Sequence, residues 1–162
     1  MTVPSPASPR SDGIAPRIVR RPTLMLGLLV LCGATIGTLA RASLSDAFPH
    51  STGAWPWTTF WINLAGSFVL GALLESLALA GADEGWRRTA RLGFGTGVLG
   101  GFTTYSTFVV EIDRLTRDDH LALAMAYTGS SLIAGITLAA LGMAAVGAVA
   151  GSEPLVEDGD AA

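Results

Sequence analysis

Apolar residues run along this chain in four long blocks separated by short polar segments. The blocks cover residues 24–43, 57–79, 91–112 and 121–149. A bilayer core about 30 Å thick is crossed by about 20 residues of helix. Each block reaches that length, so the pattern predicts an all-α integral membrane protein with four transmembrane helices over residues 23–150. Trp55, Trp57 and Trp61 gather where the second block begins, as an interfacial aromatic belt does, and Trp86 marks the loop after it. Residues 1–22 carry Pro4, Pro6, Pro9, Pro16 and Pro22 among serines and read as a disordered tail. The acidic segment 151–162 reads the same way. The apolar run from Leu24 is as long as a true span, and no small-residue cleavage site precedes a polar region, so it reads as an uncleaved first helix.

The third block contains a fault. From Gly93 to Phe108 it carries Gly93, Gly95, Gly97, Gly100 and Gly101, then Thr103, Thr104, Ser106 and Thr107 interleaved with Tyr105 and Phe108. Each interior glycine costs a helix about 1 kcal/mol relative to alanine. Broken backbone at membrane depth survives only where protein buries it or it lines a polar cavity. The third helix is therefore expected to break mid-membrane and to build a site for an ion. Other glycines suggest packing. Gly33 and Gly37, Gly93 and Gly97, and Gly97 and Gly101 are four apart, so each pair shares a helix face that a neighbouring backbone can approach.

Charge sharpens the membrane assignment and adds an orientation. Charged residues make up 14% of the chain, against about 25% in soluble domains. All ten basic residues are arginine. Arg10, Arg17, Arg20, Arg21, Arg87, Arg88 and Arg91 fall on the side of the N-terminus, and Arg41, Arg114 and Arg117 on the other. That bias favours both termini in the cytoplasm. There is no basic patch to bind nucleic acid. Cys32 is the single cysteine and sits in an apolar run, so it reads as a packing residue.

No catalytic set stands out. Gly95-x-Gly97-x-x-Gly100 matches a dinucleotide fingerprint, but it lies in an apolar span without the strand and acidic partner that motif needs. His50 and His120 lie in loops without a carboxylate or cysteine at metal-ligand spacing. Ser67 and Ser106 have no intramembrane histidine or lysine to activate them. An enzyme is not indicated. Asn63, the single asparagine, lies about 9 Å into the second span. An amide there is either an interhelical hydrogen bond or a donor along an ion path, and spacing leaves both open. Tyr105 and Phe108 are neighbours on one helical face, as core packing or as ring edges turned to an anion. Tyr127 and Ser131 are four apart and would stack a hydroxyl column that Gly135 continues. Glu75, Glu111 and Arg41 approach span ends, where charged side chains usually snorkel to the interface.

Taken together, these residues resemble the Fluc/CrcB family of small fluoride channels. The likeness spans residues 33–142. Its most specific part is Gly100-Gly101-Phe102-Thr103-Thr104-Tyr105-Ser106-Thr107-Phe108 with Glu111 behind it, similar to the family's Gly-Gly-Phe-Thr-Thr-Phe-Ser-Thr-Phe break. Gly33-Ala34-x-x-Gly37-x-x-x-Arg41 and Asn63-x-x-Gly66-Ser67-Phe68-x-x-Gly71 support it. The resemblance implies an antiparallel dual-topology dimer in the bacterial plasma membrane, with two pores passing fluoride passively outward. It also implies a structural sodium ion, not transported, held by the backbone carbonyls of Gly100 and Thr103. It maps the fluoride pathway to Asn63, Tyr105, Phe108, Tyr127 and Ser131. The Thr104 hydroxyl is a further donor for a strongly hydrated anion, and Arg41 and Glu111 fall at the vestibules. Two positions differ from the family: Tyr105 stands where phenylalanine is usual, and Gly135 where a hydroxyl is common. The resemblance leaves open a homodimer or a heterodimer with a related subunit of opposite orientation; the arginine bias suggests that this chain inserts mainly one way and pairs with such a related subunit. A four-helix multidrug-type exporter would need a membrane glutamate in the first span, which is absent, and a non-transporting scaffold would not need the polar break.

Overall fold

The computed structural model describes residues 21–152. The tail assignments for 1–20 and 153–162 lie outside the described residues. Helices α1 (Arg21–Ala47), α2 (Trp57–Leu79) and α6 (Leu121–Gly151) are continuous. Between α2 and α6 the chain forms α3 (Gly85–Ala90), a π-helical stretch Arg91–Leu99, the short α4 (Gly100–Phe102) and α5 (Tyr105–Arg117). Helix α1 starts inside the segment read as tail. Pro22 does not prevent this, because the first turn of a helix has no intrahelical partner for its N–H groups.

Among the described residues, α1, α2 and α6 are the three helices long and apolar enough to cross a membrane. Their outward faces are greasy: Leu28, Leu31, Ile36 and Leu39 of α1 and Leu132, Ile133 and Ile136 of α6 are exposed. Water would not tolerate apolar surface on that scale, whereas lipid does. The third apolar block is not one helix. It divides into the π-helical stretch, α4, a two-residue interruption and α5, and the π-helical part lies N-terminal to the expected break.

Two glycine seams hold these pieces together. In the first, α1 lies against the π-helical stretch and α4. A Cβ added to Gly33 would sit 2.6 Å from the Gly93 carbonyl oxygen, one on Gly37 2.0 Å from that of Val98, and one on Gly101 2.3 Å from that of Ala34. In the second, α2 lies against α6, where a Cβ on Gly71 would sit 2.1 Å from the Ala139 carbonyl and one on Gly142 2.2 Å from that of Phe68. Real Cβ atoms do not approach that closely, so these backbones pack at distances only glycine permits. Gly93, Gly95 and Gly97 are all buried, yet they serve two neighbours: Gly93 and Gly97 face α1, while Gly95 faces Leu70 and Leu73 of α2.

Helix α5 differs from the lipid-facing helices. Phe108, Glu111 and Leu115 are buried on it at one-turn and two-turn spacing, so a single face meets the bundle. The loop ahead of the π-helical stretch is tied by Arg91, whose Nη2 lies 2.7 Å from Asp83 Oδ2. The hydrogen bond from Arg91 holds the exposed Asp83 carboxyl below the usual carboxylate range, a contact of small stabilising value in solvent.

The seams predict a sharp contrast between two glycines of α1. Gly37→Leu drives a side chain into the Val98 carbonyl and should lower stability by about 1–3 kcal/mol or more. Gly27, where an added Cβ meets nothing within 4 Å, should tolerate alanine with no loss. Thermal unfolding in detergent, followed by size exclusion, checks both.

Candidate functional site

The interruption between α4 and α5 is two residues long. Thr103 (φ −74°, ψ 155°) and Thr104 (φ −144°, ψ 118°) are extended. Extended backbone inside a helical bundle exposes its own N–H and C=O groups, and Asn63 of α2 takes both from Thr104. Thr104 N–H donates to Asn63 Oδ1 at 2.8 Å, and Asn63 Nδ2 donates to the Thr104 carbonyl at 3.0 Å. In an unbroken helix the Thr104 N–H would donate to the Gly100 carbonyl, so the clasp leaves that oxygen without its usual donor. Of the two readings open for Asn63, the interhelical bond is the one formed. One Nδ2 hydrogen remains for another acceptor.

The threonines reinforce the turn. Thr103 N–H and Oγ1 both donate to the Leu99 carbonyl, at 2.9 and 2.8 Å. Thr104 Oγ1 caps α5 by accepting from Thr107 N–H at 3.1 Å, a contact worth about 1 kcal/mol. It also lies 2.9 Å from Thr107 Oγ1 and 3.3 Å from Ser106 Oγ. From α1, Thr38 Oγ1 and Arg41 Nε both donate to the Gly101 carbonyl at 3.4 Å. Arg41 was expected to snorkel; it turns instead to a carbonyl that the broken helix leaves free.

A cavity of about 420 Å³ opens beside the break. Asn63, Gly100, Thr103, Thr104, Tyr105, Phe108, Ser131 and Gly135 are among its lining residues, and no charged residue is. Ser131 Oγ is buried there without a hydrogen-bond partner. The Tyr105 and Phe108 rings lie 6.2 Å apart, and Tyr105 is 79% exposed, turned outward from the chain.

Tyr127, Glu111 and Arg41 are not part of this cavity, and two expectations are corrected. The hydroxyl column of Tyr127 and Ser131 does not form. Tyr127 is fully buried, its hydroxyl donates to Glu111 Oε2 at 2.8 Å, and its ring packs 5.2 Å from Phe108 and 5.5 Å from Trp55. Four-residue spacing aligned Tyr127 with Ser131, but the long phenol reaches past that line to α5. Glu111 does not snorkel. It is 4% exposed, and Oε1 accepts from Thr59 Oγ1 at 2.6 Å. Two donors replace the water it gives up. Glu111 opens onto a second cavity of about 460 Å³, lined in part by Thr59, Ser106 and Thr107. The hydroxyl cluster of Thr104, Ser106 and Thr107 thus lies between the two cavities. Thr59 was not foreseen, because its partner Glu111 is distant in sequence.

The sequence profile of the family described as CrcB-like protein, Camphor Resistance (CrcB), matches residues 28–143. The fluoride-specific ion channel FluC 1 of Cutibacterium acnes is 46% identical over 132 residues, covering 82% of this chain and 91% of that protein. FluC 2 of Leifsonia xyli subsp. xyli, also named a fluoride-specific ion channel, is 49% identical over 117 residues, 72% of this chain and 80% of its own. The fluoride-specific ion channel FluC of Thermus thermophilus is 41% identical over 125 residues, 76% of this chain and 97% of its own.

The Asn63 clasp predicts a local effect. Asn63→Leu removes both partners of Thr104 and should destabilise the fold by about 1–3 kcal/mol for each group left unpaired. Amide exchange at Thr104 should accelerate more than at Val109 or Val110 in the body of α5; equal protection in both forms would show that the clasp is not what holds the break.

Proposed function

The chain belongs to the CrcB-like family, and from that membership we propose that it is a fluoride-selective ion channel of a bacterial membrane. It passes fluoride passively down its electrochemical gradient and so lowers the cytoplasmic concentration. The observation that carries this reading is the uncharged cavity at the break. A small, strongly hydrated anion gives up water only where other donors replace it. The free Asn63 Nδ2 hydrogen and the buried, unpartnered Ser131 hydroxyl are such donors. The Tyr105 and Phe108 ring edges add weaker positive potential. No lysine or arginine lines that cavity to trap the anion, which suits conduction, where binding must be weak enough to release. Tyr127 acts differently from a lining hydroxyl: it fixes Glu111 and backs the Phe108 ring.

The broken segment serves as the fourth crossing, and the working unit is an antiparallel dimer. A structural sodium ion fits the break. Sodium takes oxygen ligands, and the Gly100 carbonyl has lost its helical donor to Asn63 while Thr103 is extended. Those two carbonyls would hold it, and its charge would offset their partial negative charge. Arg41 at the Gly101 carbonyl supports the same region from α1.

Purified protein in liposomes should release fluoride down its gradient and retain chloride. Phe108→Ile should reduce the flux to that of protein-free vesicles while the assembly elutes unchanged. Absence of fluoride flux from the purified protein, alone or with a related subunit, would sink the reading. The arginine bias makes a separate point about assembly: reporters fused to each terminus should find one orientation predominant, and equal populations of both would exclude an obligate partner of opposite bias.

A further inference from the structure

The second cavity holds a charge pattern that the anion pathway beside it does not explain. The loop between α1 and α2 folds over its mouth. The Phe48 carbonyl accepts from the Thr58 hydroxyl. Gly53 takes a positive φ of 75°, and a Cβ there would lie 2.7 Å from His120 Nε2, so the loop sits directly on the turn before α6. This places His50 at the rim. Its Nε2 lies 3.9 Å from Glu111 Oε1, and its side chain is about one-third exposed, while that of Glu111 is buried. Both oxygens of Glu111 act as acceptors, from Thr59 on α2 and Tyr127 on α6. Arg114 of α5 and Asp118 beyond it line the same cavity. Arg114 does not approach Glu111 within ion-pair distance; among the described residues His50 alone does.

We infer that His50 is a positioning residue that sets the charge of this mouth through Glu111, so that anion passage increases as the pH falls. With neutral His50, the Glu111 carboxylate faces a passing anion uncompensated and repels it. With protonated His50 the two form an ion pair, and the repulsion falls. Histidine is the side chain whose charge changes most readily around neutral pH. The inference rests on the fluoride-channel reading, and the hydroxyl cluster of Thr104, Ser106 and Thr107 joins this cavity to the uncharged one.

The test is fluoride flux from liposomes at equal internal and external pH, stepped from 8 to 6, with the leak of neutral hydrogen fluoride subtracted from protein-free vesicles. The wild-type flux should rise several-fold on acidification. His50→Gln should hold the low flux across the range, and His50→Arg, which keeps the cation, the high one. A flat wild-type profile, or a His50→Gln profile that still rises with acid, overturns the inference while fluoride-over-chloride selectivity at pH 8 leaves the channel reading standing. No flux at any pH overturns both.

Discussion

A backbone N–H or C=O group inside a membrane has no water to turn to, and each one left unpaired costs several kcal/mol. The interruption at Thr103 and Thr104 breaks helical pairing inside the bundle, where no helical neighbour replaces it. One amide side chain resolves it. Asn63 accepts from the N–H and donates to the C=O of the same residue, which an ionised carboxylate, having no donor, cannot do. Three consequences follow from that clasp. The Gly100 carbonyl is released, Thr104 is held in the conformation that caps α5, and α5 starts in the direction that turns Phe108 and Glu111 inward.

The clasp works only because the surrounding backbones are close. Thr38 and Arg41 reach the Gly101 carbonyl from α1, and α1 lies near enough because Gly33, Gly37 and Gly101 carry no side chains at the contact. Packing and hydrogen bonding are therefore not separate contributions at the break. A methyl group at the seam would push α1 away and strand the carbonyl that its side chains serve. The π-helical stretch belongs to the same arrangement. π-Helical turns are rare and cluster at functional sites, and here the stretch leads straight into the interruption, with its buried glycines against both α1 and α2.

Features carried by length and residue type were legible in the sequence. Three of the four apolar blocks are continuous helices, the glycine faces of α1 are a packing seam, and the third block breaks at Thr103 and Thr104 as its composition implied. The π-helical geometry was not legible, because Gly93, Gly95 and Gly97 weaken any helix without selecting which one replaces it. Side-chain directions were also hidden. Whether Tyr127 faces Ser131 or Glu111 depends on how α6 is rotated against α5, which no local spacing encodes. Glu111 looked like an interfacial residue because it lies near a span end. Its burial requires Thr59 and Tyr127 from two other helices. His50 seemed isolated for the same reason: its carboxylate partner arrives only through the fold.

On the proposed pathway, the two cavities would divide the chemistry of anion passage between them. The one at the break offers neutral donors and ring edges, so its attraction is short-ranged and does not hold a permanent countercharge. The other contains the buried Glu111, whose negative charge would repel an anion over a longer distance in a poorly screened interior. Its two hydrogen-bond donors moderate that charge without cancelling it. A path that meets both environments needs a boundary that neither attracts nor repels strongly. The hydroxyls of Thr104, Ser106 and Thr107 provide one, since each can donate to an anion or turn its hydrogen to a neighbour. The same three hydroxyls stand where α5 begins and where the Asn63 clasp ends. The proposed ion path would thus pass directly beside the clasp that holds the break.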